Sequence, residues 1–296
     1  MKKVLNSNAL KLIACFSMVF DHIGKAIYLF FPNDTTYYVN FAFSIIGRLA
    51  LPIFVFLIIE GFIHTKNIKN YFFRLGIMAI IVGIFEVVFA SIPSLSLTDF
   101  IYQTGNIFID LILVLLALYL FNNKDLKIKV LSILPIIYFI IAILFQNDTI
   151  YIRNDIGKAF LSAILPQYAL VSPIIIVLYI LIKLIYDFII HQKYDEKVLK
   201  TIDIDAFNRD IRINSYIISI GILSLLMYLL TYFVTDQAIL NTDCVVNTYF
   251  LISIIFIYFY NGKLGKTNIY IKSAYYLFYP VHLGIIFLIT YLISLL

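Results

Sequence analysis

The sequence is poor in charge, in cysteine and in the short motifs that hold metals. Only 13% of its 296 residues are charged, whereas a soluble domain has about 25%. Tryptophan is absent, so the 23 tyrosines must supply any aromatic belt at a membrane surface. Two cysteines, Cys15 and Cys244, are too few and too widely separated to suggest a disulfide framework, and CxxC and HExxH are missing. These shortages argue against a soluble domain, a disulfide scaffold and a metal site.

Apolar residues are what the chain has in abundance, at 62% of the sequence. They come in runs of roughly 17–25 residues, long enough to cross a hydrocarbon core. We therefore predict an all-α polytopic membrane bundle of nine transmembrane helices, with ten as the alternative. The predicted spans are 9–31, 42–63, 72–90, 106–121, 129–145, 168–190, 212–234, 246–260 and 273–294. Residues 156–167, bracketed by Gly157 and Pro166, predict a short re-entrant or interfacial helix.

Lysine and arginine predict the orientation, because cytoplasmic segments carry an excess of both. With the N-terminus in the cytoplasm, most of the 22 basic residues lie on inner segments, and the outer loops hold only Arg153 and Lys158. A tenth crossing at 156–167 would move the basic loop 191–211 outside, so nine crossings are favoured. No cleavage site follows the first apolar run, which is expected to remain as a span.

The loops are too short for a core of their own, so residues 1–296 are predicted to form one domain. The net charge of +5 reflects lysines beside the membrane, and we expect no nucleic-acid partner.

Several ionisable side chains lie inside the predicted spans, where a charge costs about 2.5 kcal/mol or more. At about 1.5 Å per residue, Asp21, His22, Arg48 and Glu86 reach one depth in the outer half of the membrane. Other polar residues near this layer are Asn106, Asp110 and, somewhat deeper, His282. Polar groups from several helices at one depth predict a cavity.

A second polar layer lies near the inner face, where Lys11 and Glu60 reach matching depths. Lys11 and His22 are eleven residues apart, about three helical turns, so they share a face of the first span. Asp21 is turned about 100° from His22 and is placed to face Arg48.

Simpler roles compete with a functional site at these positions. Arg48 with Glu86 or Asp21 fits a structural ion pair, Lys11 can snorkel to the interface, and His282 can donate one interhelical hydrogen bond. Asp110 fits a helix cap. If a cavity exists, a histidine base beside an arginine suits group transfer. The same residue types also suit a proton-coupled transporter, although no repeated halves with broken helices are visible.

Five stretches of the sequence read LKLIACFSMVFDHIGK, IGRLALPIFVFLIIEGFIHTKNIKNYFFRLGIMAI, FEVVF, TGNIFIDLILVLLALYL and SAYYLFYPVHLGII. Together these stretches resemble the TraX family. The resemblance covers the first four spans and the last, while residues 122–260 carry little that matches. A known function in that family is acetylation of the pilin N-terminus in conjugation.

The same stretches resemble a wider superfamily of transmembrane acyltransferases, which includes the acyltransferase-three proteins and heparan glucosaminide acetyltransferase. The acyltransferase-three pattern has an arginine, ten residues and then a histidine, which corresponds to Lys11 and His22 here. FVFLIIEGF resembles that family's FFVLSGF segment, and Tyr279 with His282 matches its Tyr-x-x-His. Lysine in place of arginine keeps the charge but loses the bidentate fork.

The resemblance implies a membrane-bound acetyltransferase that moves an acetyl group from cytoplasmic acetyl-CoA to an amine or hydroxyl. The acceptor would be the N-terminus of a small membrane protein or a surface glycan, and the location a bacterial cytoplasmic membrane. His22 would act as general base or be acetylated itself, while Asp21, Arg48 or Glu86 orient it or stabilise the intermediate. Candidates for CoA binding are Lys11, Lys66 and Glu60. No metal is expected, and a homo-oligomer or a non-catalytic membrane partner is left open.

Overall fold

The computed structural model describes residues 3–91, 105–146, 155–193, 204–233, 244–266 and 268–294. Within these ranges the chain is helical, as predicted, and the only β-type pairing is an isolated bridge between Leu5 and Tyr260. The α-helices are α1 (Ser7–Phe30), α2 (Asp34–Gly47), α3 (Ala50–His64), α4 (Ile68–Ala90), α5 (Ile107–Phe121), α6 (Leu126–Val130), α7 (Ile133–Gln146), α8 (Asp155–Ile164), α9 (Val171–Lys193), α10 (Ile204–Phe233), α11 (Ile252–Tyr258) and α12 (Ile269–Ser294). A 3-10 turn, Thr248–Leu251, precedes α11.

Seven helical stretches in the described ranges are long and apolar enough to cross a membrane. Two shorter apolar helices, Ile107–Phe121 and Cys244–Tyr258, coincide with the predicted spans 106–121 and 246–260. The protein is therefore an integral membrane protein built from helices. Whether the shorter helices also cross, giving nine or ten crossings in all, stays a prediction.

The second predicted span is interrupted in its middle. α2 ends at Gly47 and α3 begins at Ala50, while a single candidate span covers both helices, Asp34–His64. Pro52 lies in the first turn of α3 and has no N–H to offer the preceding turn. The break therefore leaves Arg48 and Leu49 in non-helical backbone inside an apolar stretch.

The described helices separate into two compact units. Unit 1 contains Met1–Asp21, Phe41–Phe56 and Ile174–Asn268, and unit 2 contains His22–Asn40, Leu57–Pro173 and Ile269–Leu296. The single-domain interpretation stays a prediction.

Unit 1 has an aromatic core around Tyr216 of α10, which is fully buried. Its hydroxyl donates to the carbonyl of Pro52 at 2.7 Å, and its ring lies 5.3 Å from that of Phe56. Tyr260 packs edge-on against the same Phe56 ring. A polar tip that is satisfied by α3 backbone allows this tyrosine to sit in the core.

Unit 2 is organised around α4, which packs against α5, α8 and α12. Gly83 lets α8 approach closely, because a Cβ at this position would lie 3.0 Å from the Cβ of Ala163. The ten residues of α8 span about 15 Å, half the thickness of a hydrocarbon core. A short separate helix at 156–167 is thus confirmed.

Candidate functional site

The centre of the candidate site is a pair of buried histidines in unit 2. Nδ1 of His22, in α1, lies 2.8 Å from Nε2 of His282, in α12, and the ring centroids are 5.0 Å apart. Both side chains are buried, at 2% and 7% exposure. The two histidines that the sequence placed on the first and last spans are therefore hydrogen-bonded partners.

The backbone of α12 determines which nitrogens carry protons in the neutral pair. Nδ1 of His282 lies 2.6 Å from the carbonyl oxygen of Phe278, which can only accept, so this nitrogen carries the hydrogen. Nε2 of His282 is then an acceptor, and Nδ1 of His22 must donate to it. The lone pair of neutral His22 consequently lies on its Nε2, the nitrogen that a general base would use.

Aromatic rings surround the histidine pair. Tyr279 meets His22 edge-on at 6.1 Å and meets Phe108 of α5 at 5.7 Å, while Phe278 stacks on His282 at 4.6 Å. Pro280 lies within α12 and lacks the N–H that would donate to the carbonyl of Tyr276, so one backbone hydrogen bond of the helix is missing beside the pair. The surroundings are apolar, which strengthens each hydrogen bond inside them.

Glu86 lies in unit 2 on the buried stripe of α4, with 3% exposure. Its Oε2 has no hydrogen-bond partner in the described parts of the chain. Phe85 beside it faces α12 at Gly284, where an added Cβ would lie 3.5 Å from the phenylalanine ring. The carboxyl group is therefore buried, and its predicted role stays a prediction.

Asn106 and Asp110, predicted as site candidates, hold the segment that joins α8 to α9. The Asp110 carboxylate accepts from the backbone N–H of Gln167 at 2.6 Å and of Tyr168 at 3.2 Å, and from the Ser172 hydroxyl at 2.7 Å. The Asn106 side chain donates to two further carbonyls, those of Ala79 and Ala163. Both polar side chains are fully buried, and these bonds give them a structural function.

Asp21 and Arg48 belong to unit 1, where both are buried. Asp21 packs against Gly47 so closely that a Cβ there would lie 2.5 Å from the Cβ of Asp21. Arg48 follows Gly47 at the break between α2 and α3. The aspartate thus lies beside the residue that precedes the arginine, and its predicted contact with Arg48 stays a prediction.

Among the predicted CoA-binding residues, Lys11 belongs to unit 1, whereas Glu60 and Lys66 belong to unit 2. Glu60 is buried, and its Oε2 lies 3.5 Å from Nε2 of His64, which was not among the predicted site residues. Lys66 is exposed in the connection after α3, and Lys11 is half-buried in α1. The CoA-binding role of these three residues stays a prediction.

A comparison with protein families matches the TraX protein model to residues 6–290, which is nearly the whole chain. The chain belongs to the TraX family. A relative, "Probable fimbrial assembly protein FimC, serogroup H1" of Dichelobacter nodosus, is 28% identical over 280 residues, covering 94% of this chain and 92% of that protein. No solved structure matches. The TraX match includes the middle region, 122–260, in which the sequence stretches showed little resemblance.

Several residues that shape the TraX site were not predicted from the sequence. The carbonyl of Phe278 determines which nitrogen of His282 carries the proton. A backbone carbonyl is present in every residue, so the sequence could not indicate this acceptor. Gly47 is different, because a glycine beside Arg48 in the IGRLALP stretch is a visible signal of close helix approach. Ser172 and the loop that carries Gln167 were likewise missed as partners of Asp110.

Proposed function

We propose that this TraX protein is a membrane-embedded acetyltransferase that moves an acetyl group from acetyl-CoA to an amine or hydroxyl. The observation that carries the proposal is the His22–His282 hydrogen bond with its proton position set by Phe278. A buried imidazole with a defined basic nitrogen is what acyl transfer to a weakly acidic acceptor requires. Membership of the superfamily of transmembrane acyltransferases is part of the same proposal.

In this mechanism, Nε2 of His22 accepts the proton of the acceptor N–H or O–H while the acceptor atom attacks the thioester carbonyl carbon. The tetrahedral intermediate collapses, the C–S bond breaks, and the leaving thiolate takes the proton back from His22 to give CoA-SH. His282 accepts a hydrogen bond from the Nδ1–H of His22 throughout, which keeps the ring in place and stabilises its cationic form. An acetyl-His22 intermediate is the alternative route, in which Nε2 itself attacks the thioester.

The proposed acceptor is based on the curated relative and on the TraX resemblance. The curated relative is described as a fimbrial assembly protein, and the TraX resemblance implies acetylation of a pilin N-terminus. We therefore propose the N-terminus of a small membrane protein as acceptor, with a surface glycan as the second acceptor class. The proposed location is a bacterial cytoplasmic membrane. Asp21, Arg48 and Glu86 are proposed to support the reaction, and Lys11, Lys66 and Glu60 to contribute to CoA binding.

The experiment is acetyl transfer by the purified full-length chain in nanodiscs, measured as thiol release from acetyl-CoA in the presence of host membrane extract. We expect His22→Ala to lower the rate by about 10²–10⁴-fold, the contribution of a general base. Phe16→Ala is the matched control, since this residue lies on the same helix but is exposed, and it should retain full rate. Equal rates for wild type and His22→Ala would reject His22 as the catalytic base.

A proton-coupled transporter remains the second candidate, because the break between α2 and α3 is a feature that transporters share. Its expected signature is solute uptake into proteoliposomes that depends on a proton gradient and not on CoA. Acetyl transfer without any uptake would exclude it.

A further inference from the structure

A second polar region lies in unit 1, where the first residues of the sequence pair with residues 259–266. The N–H of Leu5 donates to the carbonyl of Phe259 at 2.9 Å, and the N–H of Asn261 returns a bond to the carbonyl of Leu5 at 2.8 Å. The N–H of Ser7 then donates to the carbonyl of Lys263 at 2.9 Å. These bonds hold the loop at residues 261–266 in a defined conformation.

Two glycines in this loop have backbone angles that other residues avoid. Gly262 has φ of 77° and Gly265 has φ of 84°, both in the left-handed region. Close approach also requires them, because an added Cβ would lie 2.8 Å from Cδ of Arg209 at the first and 2.8 Å from Cγ of Asn6 at the second. The chain reverses here so tightly that only glycine fits.

Two carbonyls of the loop accept hydrogen bonds from other parts of unit 1, so the N–H groups that follow them point away from those partners. The carbonyls of Asn261 and Lys263 accept from Arg209 and Ser7. In a trans peptide the C=O of one residue and the N–H of the next point in opposite directions, so the N–H groups of Gly262 and Leu264 point away. Neither group makes a hydrogen bond within the described residues. The N–H of Lys263, which lies between them in the chain, donates to Oδ1 of Asn261 at 2.9 Å, so Gly262 and Leu264 supply the two N–H donors that an anion could use.

The charge around the loop is positive. Asp210 is shared by Lys3 at 2.5 Å and Arg209 at 3.0 Å, so one acid is matched with two cations. Lys263 and Lys266 are exposed and have no acidic partner among the residues that the structure describes. The positive-inside rule accounts for lysines beside a membrane, but it requires neither the outward N–H groups nor the fixed backbone.

We propose that the loop at residues 261–266 binds the phosphate of a phosphorylated ligand, through the N–H groups of Gly262 and Leu264 and the ammonium groups of Lys263 and Lys266. Two ligands offer this chemistry at a membrane surface, the phosphates of CoA and the headgroup of an anionic lipid. If CoA is the ligand, the site deepens the proposed function by locating the polar end of the donor, and in that respect it rests on that function.

The test measures CoA binding to the full chain in nanodiscs of phosphatidylcholine, without acceptor, so that no turnover occurs. The double variant Lys263→Gln/Lys266→Gln should bind CoA about tenfold or more weakly, because it removes charge-assisted hydrogen bonds. Lys263→Arg/Lys266→Arg should retain binding. The matched control Lys124→Gln/Lys127→Gln removes the same charge from another exposed basic segment and should leave CoA affinity unchanged.

A second arm tests the lipid source. The melting temperature of wild type and of Lys263→Gln/Lys266→Gln is compared in nanodiscs with and without phosphatidylglycerol. If the lipid headgroup is the ligand, phosphatidylglycerol stabilises wild type but not the variant, and CoA affinity is the same in both.

The proposal is overturned if the variant equals wild type in both arms, or if the control pair loses as much affinity as the loop pair. The outcome is separable from that of the proposed function. CoA binding that depends on the loop, without acetyl transfer, would reject the enzyme and keep the site. If the loop variant transfers acetyl groups with a normal KM for acetyl-CoA and shows no lipid effect, the phosphate site is rejected and the proposed enzyme activity is kept.

Discussion

At the scale of single residues, the proposed mechanism gives His282 a positioning role that acts through the imidazole of His22, and this role can be separated from packing. His282→Phe fills the space but removes the acceptor for the Nδ1–H of His22, so the ring of His22 loses its fixed orientation. We expect kcat to fall about tenfold or more, the value of one hydrogen bond to a charged group, with little change in KM for acetyl-CoA. Steady-state kinetics in nanodiscs measure both constants.

The conservative variant His282→Gln distinguishes positioning from bulk. Its amide oxygen can accept the same hydrogen bond, so kcat should recover part of the loss. Identical kcat values for the phenylalanine and glutamine variants would contradict the positioning role.

Gly47 allows α2 to lie against Asp21, and its replacement should be costly. Gly47→Ala places a Cβ 2.5 Å from that of Asp21, a contact that requires the helices to move apart. We expect a loss of about 1–3 kcal/mol, as for overpacked cores, seen as a lower melting temperature in detergent.

Gly221→Ala is the control for Gly47→Ala, since an added Cβ in α10 meets nothing within 4 Å. It should leave stability unchanged or raise it slightly, because alanine favours helix. Equal effects of the two substitutions would remove the steric explanation.

The candidate site residues were predicted from their estimated depth in the membrane, and that method has a physical limit. Counting residues along spans placed His22 and Asp21 inside the membrane, and the structure buries both. Depth alone cannot assign partners, because residues at one level can face different helices. Depth placed Asp110 near the outer polar layer but did not indicate its partners, which are Gln167, Tyr168 and Ser172.

At the scale of elements, the α8–α9 connection depends on one carboxylate. Asp110→Ala leaves the N–H groups of Gln167 and Tyr168 buried without an acceptor, at a cost of about 1–3 kcal/mol for each. We expect faster amide exchange at these two residues, measured by hydrogen–deuterium exchange mass spectrometry.

Asp125→Ala provides the comparison for Asp110→Ala. Asp125 also accepts from a backbone N–H, that of Lys127, but at the exposed start of α6. Its loss should cost about 1 kcal/mol, as for an N-cap, and leave exchange at 167 and 168 unchanged. Unchanged exchange in the Asp110 variant would mean that the connection is held by other contacts.

Apolar runs predicted most element positions, because the membrane requires long helices with internal hydrogen bonds. The apolar run did not reveal the break in the second span. Residues 42–63 read as one apolar run, yet α2 ends at Gly47 and α3 begins at Ala50. A run of hydrophobicity reports that a segment is buried in lipid or protein and does not report local backbone geometry.

At the scale of the whole molecule, the predicted orientation can be tested by labelling. Cys15 and Cys244 are both buried, so a membrane-impermeant maleimide should react little with the native chain. In Lys263→Cys the label should react only from the cytoplasmic side of the membrane, and in Thr35→Cys only from the other. Accessibility in inside-out and right-side-out vesicles measures this.

The opposite labelling pattern would show that the predicted topology is inverted. If Lys263→Cys and Thr35→Cys both react from the same side, a crossing by α1 is excluded. The contact between Lys3 and Asp210 agrees with the predicted topology, since it brings two segments assigned to the inner face together in unit 1. Basic residues predicted this arrangement because they report which ends stay in the cytoplasm. The backbone pairing between Leu5 and Tyr260 could not be predicted from residue types, because backbone atoms are the same in every residue.

That pairing has a consequence for how the chain is made. Ser7 meets Tyr260, which is 253 residues further along the chain. A ribosome adding about 5–20 residues per second needs roughly 13–50 s to reach that partner. Throughout this interval the segment that contains Ser7 lacks its partner, so its docking is one of the last events of biogenesis. A bulky tag fused before Lys3 should therefore impair maturation more than insertion.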